Sequence, residues 1–135
     1  VIDAINATKA AAEEGIVAGG EITLLKLASW EHTCTQVTCE HITLGSKILQ
    51  RALKQPFIQL VTNAGLDYAE VREMMAGKDY PFGVDVNDGQ VKDLIEAGII
   101  DPVKVTRSAL ENSCSVAGMI MSTNSLITDI PKEDK

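Results

Sequence analysis

Apolar residues recur every three or four positions between Leu44 and Ala64, and this stripe constrains the fold more than any other part of the sequence. Such spacing places the apolar side chains on one face of a helix, which must pack against other elements. The stripe predicts one long helix over residues 44–64. Because Pro56 lies inside it, we expect a kink or the loss of one hydrogen bond at that position.

Shorter helical patterns flank this stripe, and glycine or proline residues lie at their ends. Val84 and Val86 alternate ahead of Asn87-Asp88-Gly89, which predicts a β-hairpin turn. A short C-terminal strand is predicted over residues 126–130, and a loop over residues 31–41. The sequence therefore predicts a mainly α fold with a small hairpin and a C-terminal edge strand. The remaining helices are predicted over residues 1–14, 21–30, 67–75, 91–97 and 102–121. Gly15 is expected to end the first of these as a left-handed cap, and Asp67, with Glu70 three residues later, is expected to begin the third as a capping box.

The composition excludes several classes of protein. Hydrophobic residues make up 45% of the chain but aromatic residues only 4%, so the core must consist mainly of Ala, Val, Ile and Leu. A net charge of −7 gives no general attraction for nucleic-acid phosphates or an anionic membrane. No apolar run reaches the length of a membrane span. We therefore expect neither nucleic acid nor membrane as a partner, and the odd cysteine count of 3 fits a reducing compartment.

Four possible zinc ligands lie close together in the predicted loop: His32, Cys34, Cys39 and His41. Zinc sites usually take pairs of ligands from two separated elements, which this segment does not offer. A variable surface loop is therefore the favoured interpretation, with no metal site, and a small zinc-binding module remains an alternative. These two histidines are also the only ones in the chain, so a Ser/His/Asp or Cys/His enzyme is not expected.

Two helix starts carry residues with more than one possible role. The run from Gly15 to Gly20 precedes a helix, so its backbone N–H groups could face an anion or a ribose, although a simple turn between helices is the more common arrangement. Asp101 precedes Pro102, a pattern typical of a helix N-terminus in which Asp is the cap. Asp3 could cap the first helix or lie exposed on it. Local pattern alone favours the cap for Asp101 and leaves both alternatives open for Asp3.

Three ordered segments, which together extend over nearly the whole chain, carry a family resemblance. The first contains Asp-Ala-Ile-Asn-Ala-Thr-Lys-Ala and Glu-Glu-Gly-Ile-Val-Ala-Gly-Gly within residues 3–20. The second contains Gly-Ile-Ile-Asp-Pro and Lys-Val-Thr-Arg-Ser-Ala-Leu within residues 95–110, and the third joins residues 115–118 to 128–131. In this order and separation they resemble the C-terminal portion of group I chaperonins, the GroEL-like folding machines of bacteria, mitochondria and plastids.

The resemblance implies a domain organisation and a function. Residues 1–15 would end the helix of the intermediate domain, 16–131 would form the C-terminal part of the helical equatorial domain, and 132–135 would be a flexible tail. Since the chain begins at Val1 inside a helical pattern, we expect a fragment of an ATP-dependent protein-folding subunit, catalytically incomplete by itself. The whole protein would work in the bacterial cytoplasm or in a mitochondrial or plastid matrix.

The resemblance also implies an ATP site that uses Mg²⁺. Asp3 matches the acidic residue that activates the water attacking the γ-phosphate, a role in which a carboxylate orients or deprotonates the nucleophile. Asp101 would accept hydrogen bonds from the ribose hydroxyls. The full set of implied nucleotide-binding positions is Gly20, Asp85, Val86, Asn87, Ile99 and Asp101.

The same resemblance implies partners and leaves one alternative function. Neighbouring subunits of a ring would contact this chain directly. The phosphate-binding loop, with its metal-binding Asp, and the domain that grips unfolded clients and the co-chaperonin belong to parts of the family that this sequence does not contain. Glu21 replaces a usual third glycine. Around the base the family often has Tyr or Phe, then Asn or Asp, then two Ala, where this chain has Val84, Asp85, Val86 and Asn87. These departures favour the alternative, a non-enzymatic helical interaction module of chaperonin ancestry with a decayed nucleotide site.

Overall fold

A computed structural model describes residues 2–29 and 40–128. This part of the chain is mainly α, as predicted, with six helices and two two-stranded antiparallel sheets. In chain order the elements are α1 (Ile2–Glu14), β1 (Ile16–Ala18), α2 (Ile22–Ser29), α3 (Glu40–Ala52), α4 (Gln55–Asn63), α5 (Tyr68–Met74), β2 (Phe82–Asp85), β3 (Gln90–Asp93), β4 (Ile100–Pro102) and α6 (Val103–Ser122). No helix within the described ranges is long and apolar enough to cross a membrane.

The long helix predicted over residues 44–64 is in fact two helices, α3 and α4. They are separated at Leu53 and Lys54, and Pro56 lies in the first turn of α4. A proline at that place costs no hydrogen bond, because the first N–H groups of a helix have no partner within it. The prediction of one kinked helix was therefore wrong: Pro56 begins a helix instead of bending one.

The two sheets differ in how well the sequence predicted them. Strands β2 and β3 form the predicted hairpin around residues 86–89, with Val84 opposite Val91. However, the helix predicted over residues 91–97 is wrong, since this segment contains most of β3 and the turn that follows it. The connection predicted at residues 16–20 contains β1, which pairs with β4 and sets Val17 opposite Asp101. No turn motif in the sequence predicts that β1 and β4 pair with each other.

One cluster of buried aliphatic residues and a single phenylalanine forms the core. Phe57 is 1% exposed, and its ring meets the ring of Tyr68 edge-on, with the centroids 6.3 Å apart. This composition agrees with the few aromatic residues of the sequence. The cluster joins α2, α4, α5 and the β2–β3 hairpin into one unit, and its members are Ala18, Ile22, Phe57, Val61, Val71, Val84 and Leu94.

The structure confirms one predicted helix cap and rejects another. Asp67 caps α5 by accepting the backbone N–H groups of Ala69 at 2.7 Å and Glu70 at 3.1 Å. By contrast, the cap residue of α6 is Pro102, which provides no side-chain hydrogen bond, and Asp101 lies one residue earlier in β4. The pairing of β4 with β1 holds Asp101 in an extended strand, so its carboxylate is not used as a cap.

Helix α6 has an exposed apolar surface. Neither α3 nor α6, both of which lie wholly within the described ranges, has a buried residue. On α6 the exposed large side chains include Val116, Met119 and Ile120. Residues 126–128 lie outside any helix or strand, and 129–130 fall outside the described ranges. Because a β-strand needs a hydrogen-bonded partner, the edge strand predicted at 126–130 stays a prediction that requires a second chain.

The fit of Leu94 against β2 provides a test of the core. A Cβ at Gly83 would lie 2.6 Å from Leu94 Cδ1, so we expect Gly83→Ala to lower the free energy of unfolding by about 1–3 kcal/mol through overpacking. Gly45 lies in α3, and a Cβ added there would have no neighbouring atom within 4 Å. Gly45→Ala should therefore raise the free energy of unfolding by about 0.5–1 kcal/mol. Urea unfolding of both variants checks this, and a stable Gly83→Ala variant would contradict the packing described.

Candidate functional site

The turn at Gly19 and Gly20 brings the two sheets together. Gly19 donates its N–H to the carbonyl of Ile99 at 2.9 Å, and a Cβ at Gly19 would lie only 3.2 Å from that carbonyl. A Cβ at Gly20 would lie 3.5 Å from Leu94 Cδ1 and 3.9 Å from the carbonyl oxygen of Val84. The backbone of this turn is therefore packed closely against the residues around Ile99 on one side and against the β2–β3 hairpin on the other.

Asp101 lies beside this turn with an unused carboxylate. It is half-buried in β4, opposite Val17. Within the described residues the side chain of Asp101 takes part in none of the ion pairs, which involve Asp85, Asp88, Glu13, Glu14 and Glu111. A half-buried carboxylate of this kind can accept hydrogen bonds from the hydroxyl groups of a ligand.

Glu21 follows the turn in an unusual backbone conformation. Its φ of 59° is the only positive value at a non-glycine residue in the described part of the chain. Burial raises the pKa of the Glu21 carboxyl, and the negative charge of Asp101 raises it further. Two like charges thus act on each other at the point where the turn meets β4, and no local sequence pattern indicates that Glu21 and Asp101 lie close together.

The three predicted residues around the base lie at the tip of the β2–β3 hairpin. Oδ1 of Asp85 accepts hydrogen bonds from the backbone N–H and the side-chain amide of Asn87, both at 3.0 Å. Oδ2 accepts from Lys92 Nζ at 2.8 Å. These bonds, with that from Lys92 the strongest, lower the pKa of Asp85. Both oxygens of Asp85 are therefore already engaged, whereas Val86 is half-buried and packs against the core.

Asp3 lies apart from these residues. It is exposed in the first turn of α1, and at a rise of about 1.5 Å per residue it lies roughly 18 Å along the helix from Gly15. A groove of about 860 Å³ lies between α1 and α6, and both Asp3 and Pro102 are among the residues that line it. The structure thus brings Gly20, Ile99 and Asp101 close together, whereas the groove that contains Asp3 reaches Pro102 but is lined by none of these three residues.

Ion pairs that the sequence analysis missed join α1 to α6. Arg107 Nη2 lies 2.6 Å from Glu14 Oε1, and Arg107 Nε lies 3.1 Å from Glu14 Oε2, which is a two-point contact. Lys104 pairs with Glu13 one turn away. The hydrogen bonds from Arg107 hold the pKa of Glu14 below its usual value. Lys104 and Arg107 share one helix face, but only the fold reveals that this face meets the acidic end of α1.

The four possible zinc ligands fall mainly outside the described residues. His32, Cys34 and Cys39 belong to that undescribed segment, and His41 is exposed near the start of α3. Among the residues that the structure describes, no group of three or more His, Cys, Asp or Glu side chains is placed to hold a metal ion.

Comparison with known proteins identifies the family. The family model of the TCP-1/cpn60 chaperonins matches residues 1–131. The chain belongs to the TCP-1/cpn60 chaperonin family. A crystal structure of a group III chaperonin in the open state is similar to 87% of this chain, with 28% sequence identity and a TM-score of 0.75. The chaperonin resemblance is therefore confirmed, and this chain spans 25% of the length of that chaperonin chain.

Glu21 gives a pH-dependent prediction. Its folded-state pKa is raised, so the neutral carboxyl is compatible with folding and ionisation at higher pH lowers stability. We expect Glu21→Gln to stabilise the chaperonin chain at neutral pH. This gain should shrink as the pH falls through the raised pKa of Glu21 towards the ordinary value of 4.5. Urea unfolding at several pH values measures the difference from the unmodified chain.

Glu14 is the matched control, because its pKa shift has the opposite sign. A lowered folded-state pKa contributes stability that is present above the ordinary value of 4.5 and is lost as the pH falls through the lowered pKa. Glu14→Gln should therefore destabilise the chain at neutral pH and have little effect in acid. If both glutamine variants shifted stability in the same direction at neutral pH, the electrostatic description of these two carboxylates would be wrong.

Proposed function

We propose that this chain forms the adenosine-binding half of the ATP site in a chaperonin subunit that uses ATP to fold other proteins. Membership of the chaperonin family supports this reading at the level of the protein. At the level of the site, the observation that carries it is the unused, half-buried carboxylate of Asp101 beside the turn at Gly19 and Gly20.

The proposed binding mode follows from these groups. Asp101 accepts hydrogen bonds from the ribose hydroxyls, and the backbone of Gly20 packs against the sugar. The adenine lies against the half-buried side chains of Ile99 and Val86, which already pack on the core. Both oxygens of Asp85 are engaged by Asn87 and Lys92. The base is therefore held here more by apolar contacts and shape complementarity than by hydrogen bonds to Asp85.

The proposed ATP is bound with Mg²⁺, which would neutralise phosphate charge. The described residues that fit the nucleotide do so on the adenosine side, and the phosphates would be held by groups beyond this chain. Asp3 is proposed to orient or deprotonate the attacking water through its carboxylate. Since Asp3 is remote from Gly15 along α1, this role requires α1 to bring its first turn towards the phosphates.

The proposed assembly is a ring of subunits. The exposed apolar side chains of α6, including Met119 and Ile120, and the segment 126–130 would lie at contacts made within the complete subunit or with its neighbours. Unfolded clients and a co-chaperonin would be bound by parts of the subunit beyond this chain. The proposed location is the bacterial cytoplasm or a mitochondrial or plastid matrix.

A second candidate function has one specific observation in its favour. Glu21 places a non-glycine residue in a left-handed conformation and sets a second carboxylate next to Asp101. A further negative charge disfavours a polyanionic nucleotide nearby. This supports a helical interaction module of chaperonin ancestry whose nucleotide site has decayed.

Calorimetric titration with ATP and Mg²⁺ tests the proposed site, using this chain and the longest polypeptide that its gene encodes. We expect Asp101→Ala to weaken ATP binding by about tenfold or more, because a hydrogen bond to a charged group contributes about 1.5–3 kcal/mol. The matched control is Glu96→Gln, which removes an exposed carboxylate in the turn after β3 and should leave the affinity unchanged.

A nucleotide analogue makes the same test specific for the ribose contact. The unmodified protein should bind 2′,3′-dideoxy-ATP, which lacks both ribose hydroxyls, more weakly than ATP. The Asp101→Ala variant should bind the two nucleotides equally, as expected when both changes remove the same interaction. Absence of ATP binding by the longer polypeptide would reject the proposed site in favour of the interaction module.

A further inference from the structure

A second pocket, of about 450 Å³, lies among α2, α4 and α5. It shares no residue with the proposed nucleotide site, and its volume is within the range of small-molecule sites, about 300–1,000 Å³. We refer to it as the basic pocket. It is lined by Leu25, Lys26, Ser29, Lys54, Phe57, Tyr68, Arg72, Met75 and Ala76.

The charged residues that line the basic pocket all carry positive charge. They are Lys26, Lys54 and Arg72, and no acidic side chain is among the lining residues that the structure describes. This is unexpected in a chain with 19 acidic and only 12 basic residues. Lys26 Nζ donates to the backbone carbonyl of Lys78 at 2.7 Å, but none of the three cations belongs to an ion pair within the described residues.

A helix terminus adds to the positive potential of the basic pocket. Lys54 is the N-cap residue of α4, and no side chain caps this helix. The first N–H groups of a helix carry partial positive charge, which favours a nearby anion. The charge on the Lys54 side chain and the helix dipole therefore have the same sign at this edge of the pocket.

The rest of the lining is apolar and partly aromatic. Phe57 is almost fully buried, and Tyr68 meets it edge-on at an angle of 70° between the rings. Leu25 and Met75 lie on the same lining and pack against the core. A flat apolar group can contact these side chains while an attached anionic group remains within reach of the cations.

We propose that the basic pocket binds a small organic anion that carries an aromatic ring. The three cations and the α4 terminus bind the anionic group, and the ring packs against the half-buried side chains of Tyr68 and Met75. Both parts of the ligand contribute, because the cations attract the anionic group and the apolar side chains contact the ring. The site is independent of ATP binding, since no residue of the basic pocket belongs to the proposed nucleotide site.

The probe that tests this proposal is 8-anilinonaphthalene-1-sulfonate, an anionic aromatic dye whose fluorescence rises when it is bound. We expect the double variant Lys54→Gln/Arg72→Gln to bind the dye about tenfold more weakly than the unmodified protein. The matched control, Lys47→Gln/Arg51→Gln, removes the same charge from the exposed surface of α3 and should change the affinity less than about twofold. Thermal unfolding of both double variants verifies that they fold.

Two further measurements separate the basic pocket from other sites for the dye. N-phenyl-1-naphthylamine, a neutral relative of the dye, should bind equally to both double variants, since it lacks the group that the cations bind. Asp101→Ala should bind the dye like the unmodified protein, because Asp101 belongs to the nucleotide site.

Three outcomes would overturn the proposal. They are unchanged dye binding by Lys54→Gln/Arg72→Gln, equal losses in the two double variants, and any change of dye affinity in Asp101→Ala. If the pocket double variant does not fold, the single charge reversal Arg72→Glu at an exposed position of α5 replaces it, with the same expected direction. None of these results depends on whether the chain binds ATP, so the two proposals fail separately.

Discussion

The pairing of β1 with β4 determines more of this structure than any other interaction. Gly19 donates to the carbonyl of Ile99 at 2.9 Å, and that approach is possible because no Cβ stands between the two backbones. The pairing joins segments about eighty residues apart in the chain. It also sets the end of α1 next to the start of α6, where the N–H of Val103 donates to the carbonyl of Gly15 at 3.1 Å.

Two opposite electrostatic arrangements follow from this one pairing. On one side, the acidic end of α1 meets Lys104 and Arg107, and the Arg107–Glu14 contact is bidentate. On the other side, Glu21 and Asp101 face each other as like charges, and the pKa of Glu21 rises. The attractive pairs are exposed, so solvent screens them and their contribution to stability is small. The repulsion is partly buried and lies in the proposed nucleotide site, where it bears on ligand binding.

The proposed nucleotide site and the basic pocket are built on the same aliphatic core. Ile99 and Val86 pack on one part of the cluster, and Leu25, Tyr68 and Met75 on another. Because the core is closely packed around Phe57 and Leu94, each site has a rigid apolar base and differs from the other mainly in the charges at its rim. The rim near Asp101 is acidic, and the rim of the basic pocket is positive.

Sequence alone determined the features that depend on neighbouring residues. The cap at Asp67, the hairpin turn before Gly89 and the glycine end of α1 each satisfy backbone groups within a few positions, so local pattern was sufficient. The chaperonin family was also recognisable from ordered motifs. The predicted nucleotide residues came from that resemblance and stay predictions, although the fold does bring Gly20, Ile99 and Asp101 to one place.

Only the tertiary structure decided the features that need a distant partner. Strand β1 was hidden because its hydrogen bonds go to β4, and that same pairing removed Asp101 from its expected role as a helix cap. Pro56 was compatible with a kink or a helix start, and the structure has the second, with Leu53 buried in the break and Phe57 buried in the first turn of α4. The basic pocket comes from three separate helices whose cations show no pattern along the chain. A sequence records local preferences, whereas packing decides which long-range contacts override them.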